Sequence, residues 1–115
     1  MKIYIAGKIS GLPFELYYYK FEVVEHKLRE LGWDPVNPCK LAIPSEASTS
    51  EALKVCLPAL VRCRAIYMLL DWRSSLGAIT EHNTAIFSDI RRFYQEWHPV
   101  EQMSVHYFTE TFNQK

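Results

Sequence analysis

The chain has 115 residues, 49% of them hydrophobic, with 13 basic and 13 acidic side chains that leave no net charge. That balance removes the electrostatic case for a nucleic-acid polymer or an anionic membrane surface as partner. No apolar run approaches the length of a membrane span and no signal-peptide core opens the chain, so we expect a cytoplasmic protein.

Residues 2–6, Lys-Ile-Tyr-Ile-Ala, alternate and are rich in β-branched and aromatic types, which predicts a first strand. Gly7 and Gly11 bracket a tight loop, and Pro13 suits the first turn of a helix. Phe21, Val24, Leu28 and Leu31 recur at helical spacing between Phe14 and Leu31, and Gly32 ends that run. Residues 33–36 read as a short second strand, weakened by Pro35. A loop rich in Pro, Ser and Thr follows. Thr49 or Ser50 is the expected cap of a second helix from Glu51 to about Arg62, in which Pro58 marks a kink or a late start. Residues 65–70 are apolar at nearly every position, as in a central parallel strand covered on both faces. Ser74 or Ser75 caps a third helix to about Ser88. Residues 90–94 fit a fourth strand, which Arg91 and Arg92 assign to an edge. Residues 105–108 fit a short strand or a partner-contacting tail.

Strands alternating with helices predict a small flavodoxin/Rossmann-like three-layer α/β domain with a parallel sheet of four to five strands. We read one domain over 1–115, with a core from 2 to about 94 and a tail over 95–115; this length supports a single hydrophobic core. Cys39, Cys56 and Cys63 are odd in number and form no zinc-ligand spacing, so they read as reduced thiols. No cofactor or metal is expected.

In such sheets, ligands bind beyond the carboxyl ends of the strands, where strand order reverses. The loop of Gly7, Lys8, Ile9, Ser10 and Gly11 and the turn from Ser74 to Gly77 both follow strands, so both belong to that edge. The start of the third helix favours an anion there. Glu81 follows about one turn into that helix, with its carboxylate in reach of the turn.

At these residues the chain resembles the nucleoside 2-deoxyribosyltransferase superfamily, in particular a branch of short bacterial and phage proteins. The resemblance is carried by Tyr4 to Gly11 and by Ser75-Leu76-Gly77-Ala78 with Glu81. Asn37-Pro38, Cys63 to Tyr67 and Trp72 fit the same pattern, which covers residues 2 to about 94. It implies cleavage of the N-glycosidic bond of a deoxynucleoside or deoxynucleotide. Glu81 would attack the anomeric carbon, and a second base or water would then take the sugar. Tyr4 would orient that carboxylate. As in the nucleotide-hydrolysing branch, the first loop and Ser75 would hold a 5′-phosphate; several nucleoside-transferring members carry an aspartate at the position of Ser75 instead. Lys8, Asp71, Trp72 and Gly77 complete the expected substrate-binding set. The resemblance also implies a homo-oligomer, at least a dimer. Two positions depart from the family pattern. Cys56, or a near neighbour, stands where an aspartate usually assists the leaving base, and no carboxylate lies between Glu51 and Asp71; a thiol is poorly suited to that task. Arg64 replaces an aspartate common just before the third strand.

Each of these residues also has an ordinary structural reading. Glu81 fits a solvated first-turn glutamate, Tyr4 a core aromatic and Ser74 or Ser75 a plain helix cap. Gly7 and Gly11 fit turn glycines, Lys8 a surface lysine, Trp72 packing over the sheet edge and His82 a surface or interface histidine. The Tyr17-Tyr18-Tyr19 run fits core plus subunit contact. Three functions are therefore in play. The first is a deoxynucleotide N-glycosidase or deoxyribosyltransferase. The second, motivated by Cys56, is a weakened nucleotide-binding module. The third is an interaction protein with a vestigial site, motivated by Tyr107, Phe108 and Phe112.

Overall fold

The computed structural model describes residues 1–98 and 103–111, with side chains through residue 96. The chain runs β1 (Lys2–Ala6), α1 (Phe14–Glu30), β2 (Asp34–Val36), α2 (Thr49–Val61), β3 (Ala65–Met68), α3 (Leu76–Phe87), β4 (Arg91–His98) and β5 (Met103–Thr111). Short 3-10 turns precede α2 (Pro38–Lys40) and α3 (Trp72–Ser74). The five strands form one sheet in the order β2-β1-β3-β4-β5. β2, β1, β3 and β4 are mutually parallel, and β5 returns antiparallel along β4.

The strand order explains the layers. The chain steps from β1 outward to β2, then returns past β1 to β3 and β4. Right-handed crossovers then put α1 on one face and both α2 and α3 on the other. Two separate cores follow. Ile3, Ile5, Ala65, Tyr67, Leu69 and Phe93 meet Phe21, Val24 and Leu28 of α1. On the opposite face Tyr4, Ala6, Ile66 and Met68 meet Cys56 and Leu60 of α2 and Ala78 and Ala85 of α3. The strict alternation of β1 and β3 side chains between these cores is the period of two expected of strands buried on both faces.

Local sequence sets the helix ends. Gly32 adopts φ +96 after α1. The Gly32 N–H donates to Arg29 O and the Trp33 N–H to Leu28 O, a Schellman closure. α2 starts earlier than predicted because Ser48, not Thr49 or Ser50, is its cap. The Ser48 hydroxyl accepts from the Glu51 N–H, while the Glu51 carboxylate accepts from the Ser48 N–H, a reciprocal capping box. The helix continues through Pro58, which lies in its last turn. β4 is internal rather than an edge strand: Arg91 and Arg92 pair with Ala65 and Ile66 at the start of the β3–β4 ladder, and β5 covers the other side. The Arg91 guanidinium lies over the Phe93 ring at 5.7 Å, and Arg92 donates to Ile90 O at 3.0 Å. Strand β4 continues to His98. Tyr107 and Phe108 fall in β5, known here by its backbone, and Phe112 lies outside the described residues.

Gly7 marks the end of β1, where the chain passes close to β3. A Cβ there would lie 2.6 Å from Leu69 Cδ1 and 2.9 Å from Leu69 Cβ. Leu69 is fully buried, so it can give way only by repacking the core around it. Gly7→Ala is expected to destabilise the fold by about 1–3 kcal/mol through overpacking. Urea denaturation measures this, and an unchanged midpoint would show that Leu69 repacks freely.

Candidate functional site

The strand order reverses between β1 and β3, so their carboxyl ends open the crevice where doubly wound sheets bind ligands. Three segments converge there: the loop after β1, the 3-10 turn after β3 and the start of α3.

The loops are tied to one another. The Lys8 backbone N–H donates to Asp71 Oδ1 at 3.0 Å, and the Lys8 ammonium donates to Ser74 O at 3.0 Å. Lys20, one and a half turns into α1, reaches over the edge. Its ammonium donates to Lys8 O at 2.9 Å and pairs with Asp71 Oδ2. Both oxygens of Asp71 are therefore engaged by the protein. Ile9 packs into the core under α1, whereas Ser10 and Gly11 are exposed, with Gly11 at φ +84.

α3 begins at Ser75, whose hydroxyl accepts from the Ala78 N–H at 3.2 Å. No acidic residue lies in its first turn. The positive end of the helix is thus not offset by its own sequence, and the Lys8 ammonium adds a further positive charge beside it. Gly77 is not demanded by packing: a Cβ there would meet Thr49 Cγ2 at an ordinary 3.6 Å.

One and a half turns into α3, Glu81 points inward. At a rise of about 1.5 Å per residue it lies roughly 8 Å below Leu76, beneath the sheet edge. It shares the buried stripe of α3 with Ala78 and Ala85 and is only 6% exposed. The solvated reading of Glu81 is therefore excluded. Tyr4, at the middle of β1 and fully buried, donates its hydroxyl to Glu81 Oε2 at 2.6 Å. Cys56 of α2 closes this small polar group within the core.

Burial dominates the chemistry of the group. Loss of hydration raises the Glu81 carboxyl from 4.5 to about 7, with the Tyr4 hydroxyl and the Cys56 thiol pulling the other way. Burial, then the nearby Glu81 charge, pushes the Tyr4 phenol well above its ordinary value. Burial likewise pushes the Cys56 thiol up to about 11. At neutral pH Tyr4 and Cys56 thus hold their protons, and Glu81 is poised between acid and carboxylate.

Trp72 and His82 form a separate cluster beside this group. Trp72 is 9% exposed and stacks on the His82 ring at 4.2 Å, with the Arg73 guanidinium over its indole at 4.7 Å. His82 Nε2 lies 2.7 Å from the Tyr94 hydroxyl. Burial, then Arg92 and Arg73, lowers the His82 pKa and favours neutral imidazole. His82 is thus half-buried among aromatics, not a surface residue. On α1, Phe14 packs on Tyr17 and Tyr18, while Tyr19 is exposed.

Sequence reasoning missed Lys20, because helical periodicity says which face a lysine starts from but not where its ammonium ends. It also missed Glu25, a buried α1 carboxylate. Burial opposes its charge, but Asn37, Lys40 and Arg29 more than offset this and hold it below its ordinary range. That network fastens α1 to the turn after β2. Among the described residues, no group of three His, Cys, Asp or Glu side chains could hold a metal ion. No helix among them is long and apolar enough to cross a membrane.

A doubly wound α/β domain with a buried tyrosine–glutamate pair under its switch point is the class these features define. The chain belongs to the family described as Domain of unknown function (DUF4406), whose model matches residues 1–90. All the site residues named above except Tyr94 and Arg92 lie within that span. Comparison with curated proteins gives no match.

Proposed function

We propose that the protein cleaves the N-glycosidic bond of a deoxynucleoside 5′-monophosphate or a related nucleotide, with Glu81 as nucleophile. The observation that carries this reading is the Tyr4–Glu81 hydrogen bond at 2.6 Å, with the carboxylate buried below the anion-favouring start of α3. A core seldom keeps an acid without full ion pairing unless it has a task. Here the partners are a phenol and a thiol, both neutral, so the carboxyl titrates near neutral pH and its ionised form can act as a nucleophile.

The step is simple to state. A Glu81 carboxylate oxygen attacks C1′ as the C1′–N bond breaks through an oxocarbenium-like transition state. The electron pair leaves with the base nitrogen, which takes a proton from water. Water, or a second base, then attacks C1′ and releases the glutamate. Tyr4 holds the carboxylate in one orientation and stabilises its charge when it departs. The phosphate is held by Ser75, by backbone N–H groups at the start of α3 and by Lys8. Gly77, which packing does not demand, leaves that first turn open. Association into a homo-oligomer and a cytoplasmic location belong to the same proposal.

The Cys56 environment favours a second reading, a nucleotide-binding module without turnover. A thiol at about 11 gives poor assistance to a departing base. A panel of deoxynucleoside 5′-monophosphates, with free base followed by chromatography, separates the two. Base release by wild type and none by Glu81→Ala is the expected result. Saturable binding with no base release would replace the enzyme by the module, and turnover by Glu81→Ala would reject the nucleophile.

A further inference from the structure

We infer that Lys20 is a positioning residue that clamps the β1 and β3 loops together and thereby fixes Lys8 at the start of α3; its link to phosphate recognition rests on the function proposed above.

The clamp is a closed circuit across three elements. Lys20 of α1 binds Lys8 O and Asp71 Oδ2, Asp71 Oδ1 binds the Lys8 N–H, and the Lys8 ammonium binds Ser74 O. Ser74 in turn donates its N–H and its hydroxyl to Asp71 O, at 3.1 and 2.9 Å. Lys8 is thus held at its backbone N–H, its carbonyl and its side chain. The charges sort themselves accordingly. The Asp71 carboxylate faces Lys20, so the two charges offset one another. Among the described residues the Lys8 ammonium is paired with no carboxylate and donates to the Ser74 carbonyl, so its charge faces the helix start. An anion there would meet one fixed cation rather than a flexible side chain, which is the value of preorganisation.

The Lys20 side chain is 22% exposed and its ammonium lies 5.6 Å from the Phe21 ring centroid, so it is largely covered. Removing its ammonium leaves Asp71 with one partner fewer and frees the Lys8 carbonyl. The first loop then loses its polar tie to α1, while the packing of Ile9, β1 and the core stay as they are.

The test compares wild type, Lys20→Met and Lys20→Arg as full chains, using amide hydrogen exchange and ligand affinity. The Lys8 amide is expected to exchange about tenfold faster in Lys20→Met, with β1 amides unchanged, because one charge-assisted bond is lost. Affinity for a deoxynucleoside 5′-monophosphate should fall about tenfold, and affinity for the same nucleoside without phosphate should not change. Lys20→Arg, which keeps the charge and the reach, should recover most of both effects. Unchanged exchange at Lys8 in Lys20→Met would overturn the clamp. Equal losses for both ligands would reduce Lys20 to a general structural role. If wild type binds no nucleotide, the function proposed above fails and the phosphate link with it, while exchange at Lys8 still decides the clamp. Should Lys20→Met not fold, Lys20→Ala removes the same ammonium without an apolar tip and is read in the same way.

Discussion

Replacing Glu81 with Gln should make the protein more stable at pH 8 and leave its stability nearly unchanged at pH 4.5. The reasoning is linkage. Folding raises the Glu81 carboxyl from 4.5 to about 7, chiefly by burial. Below pH 4.5 the group is protonated in both folded and unfolded chains, so burial carries no charge penalty. Between pH 4.5 and 7 the unfolded chain releases the proton that the folded chain keeps, and stability falls as pH rises. Above pH 7 the folded protein holds a buried carboxylate, and the loss levels off at about 3 kcal/mol. Glutamine keeps the shape and the acceptor for Tyr4 but has no charge to bury. Other titrating groups, such as Glu25 and His82, are present in both proteins and largely cancel in the difference. Thermal melts should therefore separate the two on the order of 10 °C at pH 8 and converge toward pH 4.5. A constant separation across this range would mean that Glu81 titrates as it does in water. The same variant should release no base, so stability and activity would move in opposite directions, as expected of a functional group buried at a cost in stability.

The fold was legible because its signals are local. Alternation in β1, the apolar run of β3 and the periodic stripe of α1 each follow from residues within a few positions of one another. The start of α2 was equally open to reading, since Ser48 and Glu51 carry the spacing of a capping box. Two features were not legible for a common reason. The Arg91-Arg92 pair argued for an edge strand, yet whether β4 lies at an edge depends on β5, a partner later in the chain. Asp71 read as a ligand contact, and only the arrival of Lys20 from 51 positions away shows both its oxygens engaged. The Tyr4–Glu81 contact, 77 positions apart, is also long-range, and no spacing rule reaches it. Its expectation rested on the family resemblance. The residue spacing by itself favoured a solvated glutamate, because nothing local distinguishes the buried stripe of α3 from its exposed face when Ala78, Glu81 and Ala85 are its members.

Tyr4→Phe should be more damaging at high pH than at low, and this separates a core aromatic from a partner of the carboxylate. Phenylalanine fills nearly the same buried volume, so the hydrophobic part of Tyr4 is retained. What is lost is the hydroxyl at 2.6 Å from Glu81 Oε2. With Glu81 protonated, at pH 4.5, the missing bond joins two neutral groups and its removal costs about 1 kcal/mol. With Glu81 ionised, at pH 8, the missing bond is charge-assisted and its removal costs about 2–3 kcal/mol. The Tyr4 hydroxyl lowers the Glu81 pKa, so its loss also moves that carboxyl above its present value of about 7. A nucleophile must be ionised, so the low-pH limb of base release should shift to higher pH in Tyr4→Phe, with rates recovering as pH rises. In the Glu81→Gln background the same substitution should lose its pH dependence, because no charge is left for the hydroxyl to stabilise. Denaturant titrations of the four proteins at pH 4.5 and 8 measure this coupling directly. A Tyr4→Phe cost that is equal at both pH values would place Tyr4 among the ordinary core aromatics and leave Glu81 without its orienting partner.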